Sequence, residues 1–548
     1  MKRIVFFWIE KYQEIDFMNH EGKFLFENFG VNLSSKFHFE YDWNDSKKEL
    51  AISKKINENL VVYSDKIYDI KIVVGKNGTG KTTLLNLIGD ISSGKEMYDD
   101  LTYAVVWEEE GSMWCYGNNC KISGDALFKE SLSPFTTIMY SSDFSKYHEN
   151  QAHIENFFDL RTNTLLREKG NDSVERYFLA EEDRLIDFLV DFSKIKNARN
   201  ESILWSVLNV PARVIFSFSG VAHREIQDII DQTNNDSEDE VRGIAWSFLG
   251  SKCAFSFFDE MLFMALLDLK RKGIIIKKSV FDSIQNYMEE NHPTIFNDIK
   301  RWVEKINVRK MSLTPGGRET YVAMLNLDND YDMVKEFRDM LRKINPNVLF
   351  MPMSLGQPMS AGEKEYISFF SRLLPILKRM RKQKKNFDCL LILDEVDRSL
   401  HPEWQRLWFT KFLESIDAIS VNYDVKLNIQ LLMATHSPFM LSDFVDDNVL
   451  KLDRIQDESG FKANVKCDYS PTKCFGGNIY DIMKEGFFLD SSIGGFVENQ
   501  ITKMINDVKK SKEENRALSI DYSFVNRIGN PILKSLLLQK IKSAERNK

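Results

Sequence analysis

The chain has 548 residues, more than a single compact core holds, and its 43% hydrophobic and 28% charged residues are the balance of a folded globular protein, not of a disordered or fibrous one. Its formal net charge of −8 and pI near 5.7 exclude a surface coated throughout with basic charge for nucleic acid, while leaving room for a local basic face. Six cysteines lie far apart with no CxxC pair, and no apolar run is long enough to span a bilayer, so the expectation is a reduced, cytoplasmic protein without a membrane anchor.

Residues 1 to about 74 read as β-rich. The runs RIVFFWI, KFHFEYDW, ELAISKK and LVVYS alternate or are β-branched, with Gly, Asn and Asp between them, which predicts an antiparallel sheet. The first run is interrupted by Glu10 and Lys11 and lacks a small-residue cleavage site, so it reads as a strand and not as a signal peptide. Next comes KIVVGKNGTGKTTLLNLIG, from Lys71 to Gly89. An apolar strand, Ile72 to Val74, runs into Gly75, Lys76, Asn77, Gly78, Thr79 and Gly80, and Lys81, Thr82 and Thr83 open an apolar-periodic helix. This is the phosphate-binding pattern G-x-x-x-x-G-K-[ST] in the strand–loop–helix setting that gives the match its meaning. The glycines let backbone N–H groups turn inward on phosphate oxygens, and the helix N-terminus adds its dipole. Lys81 is expected on the β- and γ-phosphates of a nucleotide, and the Thr82 hydroxyl on Mg²⁺.

Beyond that helix, LTYAVVWEEEGSMWCYG predicts a hairpin turning near Gly111, and PFTTIMYSSDF (134–144) a strand ending in polar residues. That end is where a γ-phosphate sensor would stand, but it carries no Gln. From about 150 to 345 the period changes. ERYFLAEEDRLIDFLVDF, DEMLFMALLDLKRK, VFDSIQNYMEE and YDMVKEFRDMLRKI place apolar residues at helical spacing and predict a mostly helical insertion, with no internal repeat and no heptad array. Regular α/β signals return at about 347. NVLFMPM, CLLILDE and NIQLLMATHS read as strands, SAGEKEYISFFSRLLPILKRM and EWQRLWFTKFLESI as helices, and PILKSLLLQKIKSAERNK as a basic amphipathic helix at the end.

Three of these segments carry candidate chemistry. LLILDEVD (390–397) ends a buried strand in Asp394 and Glu395, at the edge where an open α/β sheet places its ligands. Asp394 is expected to support Mg²⁺, directly or through water, and Glu395 to polarise an attacking water as general base. Alone, this would be a strand ending in a solvated acidic turn; the P-loop in the same chain argues for the chemical role. In MSAGEKEYISFF (359–370), Ser360 and Glu363 form a capping box, which by itself makes only a well-capped helix. The functional reading is that Ser360 and the Gly362 backbone donate to the γ-phosphate of a second nucleotide. His436 follows another apolar strand; a lone His is usually structural or exposed, but at the edge of the same sheet it is a candidate γ-phosphate contact.

In this order, GKNGTGKT, SAGE, LLILDE and THSPF resemble the Walker A, signature, Walker B and His-switch motifs of ABC-class ATPases, and Asn77 suits that class. Leu393-Asp394-Glu395 followed by His401-Pro402 resembles the non-transporter branch, which includes DNA-repair and SMC-type ATPases, overcoming-lysogenization-defect nucleases and bacterial anti-phage ATPases. About half the chain separates Lys81 from Ser360. Filled compactly and without coiled coil, that gap looks like the AAA-15/AAA-21-type ATPases of defence systems. The tail KCFGGNIYDIMKEGFFLD (473–490) is similar to the ATPase subunit of Septu-like systems and of retrons that carry one. Three features depart from the pattern: Ala361 stands where many members have Gly or Ser, His401 where transporter D-loops have Asp, and the sensor Gln is not evident.

The resemblance implies an α/β fold: an ABC-type P-loop head with an antiparallel β N-terminal subdomain and a mostly helical insertion between Walker A and the signature. Residues 1–148 would form the first half of the head, 149–346 the insertion, 347–470 the second half and 471–548 a mixed or helical tail. It implies ATP and Mg²⁺ as ligands and a homodimer or higher homo-oligomer closing head to tail over two ATPs. Each site would take Lys81, Thr82, Asp394, Glu395 and His436 from one chain and Ser360 from the other. It also implies an anti-phage switch with a separate nuclease subunit of the HNH type and, in retrons, a reverse transcriptase with its nucleic acid. Neither a Toprim nor an HNH nuclease pattern is found in this chain. The alternative is a DNA-repair or SMC-like ATPase that binds DNA itself, through the basic stretches at 269–278 and 378–386. The long insertion argues against a transporter subunit, and Glu395 against a scaffold that binds ATP without hydrolysing it.

Overall fold

The P-loop strand Ile67–Gly75 is an inner strand of a seven-stranded sheet. The order across it is Phe157–Asp159, Thr137–Ser141, Asn386–Asp394, Lys426–Ala434, Ile67–Gly75, Val449–Gln456 and Ala463–Asp468. Every neighbouring pair is parallel except the last. Inner parallel strands are buried on both faces, which is why IVV, CLLIL and LLMA read as unbroken apolar runs. The computed structural model describes residues 1–14, 23–57, 61–94, 98–142, 156–166, 177, 180–181, 184–189, 213–217, 256–271, 284–306, 308–312, 319–326, 330–344, 353–355, 360–383, 386–456, 463–468, 473–487, 489, 491, 493–513 and 522–545.

The helix Lys81–Ser92 buries Leu84, Leu85, Leu87, Ile88 and Ile91. These share one core with Met139, Leu390, Ile392 and Leu432 of the main sheet and with Ile9, Leu25 and Phe26 of a second, N-terminal sheet. That second sheet runs Lys23–Asn32, Lys2–Glu14, Tyr103–Glu109, Ser112–Asn118, Leu127–Phe128, and its first three pairs are antiparallel. The predicted hairpin turns at Glu110 and Gly111, at φ 53° and 82°, the paired positive angles that match strand twist.

A register shift between Ile4 and Phe6 breaks the alternation of the first strand. Ile4, Phe7 and Ile9 therefore face the P-loop helix, while Val5, Phe6 and Trp8 face a three-stranded sheet of Phe37–Asn44, Glu49–Ile56 and Lys121–Gly124. The second core, with Phe37, Phe39, Leu50 and Ile52, accounts for many of the buried aromatic side chains. Polar ties lock the layers together. Arg3 pairs with Asp69 at 2.9 Å and with Glu108 at 2.7 Å. The Gln430 amide exchanges hydrogen bonds with the Ile4 backbone, accepting from its N–H at 2.9 Å and donating to its carbonyl at 2.6 Å.

Two predicted elements differ. LVVYS is not a strand: residues 61–64 have no regular structure, and Val62 is 80% exposed, because the pairing positions in this stretch of chain belong to Ile67–Gly75. The insertion carries a sheet as well as its helices. Val308–Ser312, Glu319–Asn326, Arg213–Ser217 and Met353–Leu355 pair antiparallel in that order. Most of NVLFMPM lies outside the described residues, and Met353–Leu355 joins this antiparallel sheet, which thus takes strands from both sides of position 347. The predicted helices are present as Phe257–Arg271, Ile284–Asn291 and Tyr331–Ile344, joined by Pro293–Lys305. Of the segment from Glu175 to Phe192, the described residues 177, 180–181 and 184–189 are helical.

By their contacts the residues divide into 1–477 and 478–548. The second unit contains the helix Ile479–Gly486 and a cluster of helices Gly495–Glu513, Tyr522–Arg527 and Pro531–Glu545 around Ile501, Val508, Val525, Leu537 and Ile541. No described helix is long and apolar enough to cross a membrane.

Candidate functional site

The sheet register sets the site. Ser141 pairs with Asp394, Asp394 with Ala434, and Ala434 with Val73, so the strand ends that carry the P-loop, the two acids and the histidine turn open at one edge. Parallel α/β sheets bind ligands at that edge.

The P-loop is shaped by glycine. A Cβ on Gly75 would sit 2.4 Å from the Leu452 carbonyl oxygen of the neighbouring strand. Gly80, at φ 82°, is the N-cap of the helix, and a Cβ there would meet Leu25 Cδ2 at 2.9 Å. The Thr79 hydroxyl donates to the Lys76 carbonyl at 2.9 Å and stiffens the loop. Asn77 and Gly78 are exposed at its tip, Thr82 is exposed on the first helical turn, and Thr83 is half-buried. Lys81 is buried, and its Nζ donates to the carbonyls of Gly75 and Lys76 at 3.0 and 3.1 Å. Burial lowers the pKa of its ammonium, while Glu395 and Asp394 oppose that fall, which places both acids within electrostatic reach of Lys81.

Glu395 is a non-glycine residue at φ 50°. Backbone in this region costs roughly 1–3 kcal/mol and persists only where the surroundings over-determine it. Its N–H donates to the Ala434 carbonyl at 3.0 Å, and its carbonyl accepts from Arg398 N–H at 3.2 Å. His436 Nε2 lies 3.6 Å from Glu395 Oε1. Burial and the Lys81 charge lower the imidazole pKa against the pull of Glu395, which favours the neutral form of His436. Lys81, Asp394, Glu395 and His436 thus converge.

Ser360 does not join this group within the chain. Its N–H and hydroxyl both donate to Glu363 Oε2 at 2.8 Å, and its Oγ accepts from Glu363 N–H at 3.3 Å, the predicted capping box. It is exposed, and Gly362 behind it rests on the turn after Glu395, where a Cβ would lie 3.3 Å from the Ser399 carbonyl oxygen.

Sequence reading missed a buried network beside the site. The Tyr140 hydroxyl donates to Glu365 Oε1 at 2.7 Å, and burial raises the pKa of that carboxyl. On the same helix, Arg372 donates to Leu160 O at 2.9 Å, to the Tyr177 hydroxyl at 3.0 Å and to Glu181 Oε1 at 2.8 Å. No local pattern joins these residues; only the fold does. Asp397 was also missed. It is 4% exposed, burial raises its pKa, and the Thr435 hydroxyl and His436 N–H oppose the rise. Of the basic stretch at 378–386, Lys378 sits over the Tyr423 ring at 5.6 Å, and the side chains of residues 380–386 lie outside the described residues.

A family model described as "AAA domain, putative AbiEii toxin, Type IV TA system" matches residues 151–442, more than half of the chain. The match takes in Ser360, Asp394, Glu395 and His436 and begins beyond the P-loop. The "Retron Vc95 probable ATPase" of Vibrio cholerae serotype O1 biovar El Tor is 22% identical over 480 residues, covering 81% of this chain and 80% of that protein.

Proposed function

The chain belongs to the AAA-domain family just described, and from that premise we propose that it is an ATP-binding and ATP-hydrolysing switch of a bacterial anti-phage defence system. The observation that carries the proposal is the convergence of Lys81, Asp394, Glu395 and His436 at the C-terminal edge of one parallel sheet. The backbone amides of the P-loop, apart from the Thr79 N–H that donates to the Lys76 carbonyl, would take the nucleotide phosphates, and Lys81 exchanges its two carbonyl partners for phosphate oxygens. Asp394 and the exposed Thr82 hydroxyl are hard oxygen donors, the set that Mg²⁺ prefers, and they would hold it. When bound, that ion neutralises charge on the β- and γ-phosphates.

Glu395 takes a proton from the attacking water as the bond from water oxygen to γ-phosphorus forms. The bond to the β-bridging oxygen breaks, and its electrons leave with ADP. A neutral His436 donates an N–H to the γ-phosphate without quenching the Glu395 charge. The exposure of Ser360 suits an ABC-type, head-to-tail pairing in which each chain presents its capped helix to the other's nucleotide. The likeness to a retron ATPase supports a role beside other retron components; a separate HNH-type nuclease as effector, and a reverse transcriptase with its nucleic acid, are the partners that the motif resemblance implies.

The test is Glu395→Gln. Phosphate release should fall about 10²- to 10⁴-fold, the usual contribution of a general base, while ATP binding and dimerisation persist. Normal turnover would remove Glu395 from the role of base.

A further inference from the structure

The turn from Glu395 to Leu400 holds two unfavourable features together. Glu395 is left-handed. Asp397, almost fully buried, has an Oδ1 with no hydrogen bond among the described residues. Its carboxyl also accepts from the Thr435 hydroxyl and the His436 N–H of the neighbouring turn, but the oxygen left buried without a partner still costs free energy that the turn would shed by opening to water. Something outside the turn must keep it closed.

Gln405, half-buried in the first turn of the helix Pro402–Tyr423, reaches back to do this. Its Nε2 donates to the carbonyls of Asp397 at 3.2 Å and Leu400 at 3.0 Å. Its Oε1 accepts from the Ser437 hydroxyl at 2.8 Å. Ser437 is the residue after His436. Its Oγ caps the short helix Pro438–Leu441 by accepting from Met440 N–H at 3.2 Å, and its own N–H donates to Thr435 Oγ1 at 2.9 Å. Thr435 N–H in turn reaches the Val73 carbonyl of the P-loop strand at 3.4 Å. One carboxamide, using both donors and its acceptor, therefore bridges the turn that begins at Glu395 and the turn that carries His436.

We propose that Gln405 is a positioning residue for ATP hydrolysis, whose amide fixes Glu395 relative to His436. This rests on the ATPase reading above. Gln405 acts through the Asp397 and Leu400 carbonyls and the Ser437 hydroxyl of the two turns. An amide is required because only it offers two N–H groups to the carbonyls and an oxygen to the hydroxyl on the same planar group.

The experiment compares wild type, Gln405→Met, which keeps length and loses every hydrogen bond, and Gln405→Glu, which keeps the acceptor and loses both donors. Steady-state phosphate release and amide exchange over residues 395–401 are measured on the full chain. In Gln405→Met, kcat should fall about ten- to a hundredfold with KM for ATP within about twofold, the effect expected of a misplaced catalytic group on a site that still binds. Exchange at 395–401 should quicken in both variants, and Gln405→Glu should not recover wild-type kcat. Unchanged kcat in a folded Gln405→Met overturns the proposal, as does a fall in affinity alone. If wild type releases no phosphate, the ATPase reading falls, and the exchange measurement alone decides whether Gln405 holds the turn.

Discussion

The two loops that flank the candidate site are built on opposite principles. The P-loop is a turn made of absences: Gly75 and Gly80 leave out the side chains that would strike Leu452 and Leu25, and the backbone follows. The Glu395 turn is made of constraints. It keeps a left-handed glutamate and a buried aspartate, held by a glutamine and a serine from other elements. A loop shaped by missing atoms tolerates no addition, whereas a loop under constraint should relax when its holders are cut.

The largest contrast comes from adding one methyl group. Gly75→Ala puts a Cβ against backbone, which has nowhere to swing, so the chain should lose about 1–3 kcal/mol of stability along with tight ATP binding. Thermal melting and nucleotide titration read both; an alanine that binds ATP normally would show that the loop has slack. On the constrained side the sign reverses. Glu395→Gly and Glu395→Ala both remove the carboxylate, but only glycine relieves φ 50°, so the glycine variant should be more stable than the alanine variant by about 1 kcal/mol. Equal melting temperatures would mean that the turn carries no strain.

The smallest effect lies further along the His436 turn. Burial pushes the Asp443 carboxyl up to about 6, against the pull of Arg406, while an unfolded aspartate titrates near 3.9. Between those values the folded state binds more protons, so stability is lost as pH rises through that window and stays lower above it. Asp443→Asn should therefore raise the melting temperature by about 1–2 °C at pH 7.5, after allowing for solvent screening of a half-exposed group, and leave it unchanged near pH 3.5. An equal gain at both pH values would point to packing instead of charge.

The same contrast explains what could be read from the chain. The P-loop, the apolar run into Asp394 and the capping box at Ser360 are local patterns, each complete within a few residues. The hairpin at Glu110 and Gly111 was legible for the same reason. The strand Lys23–Asn32 was not, because Glu27 and Asn28 interrupt its alternation and Asn28 itself sits at φ 44°. LVVYS misled in the opposite sense, being apolar yet exposed at Val62. The sheet in the insertion escaped notice because short runs such as VRKMS lie among longer helical periods. At the site, Gln405, Asp397, Glu365 and Arg372 carry no motif, and their roles exist only once the strands align.

The most direct test of the central claim, that these strand ends assemble a hydrolytic ATP site, is to count the nucleotide held by Glu395→Gln chain after incubation with ATP and Mg²⁺ and removal of free ligand, while weighing the assembly by light scattering. The account predicts one intact ATP per chain in a dimer or larger homo-oligomer, and none in the Lys81→Ala, Glu395→Gln double variant. Recovery of ADP, or of no nucleotide from a well-folded Glu395→Gln chain, would contradict it.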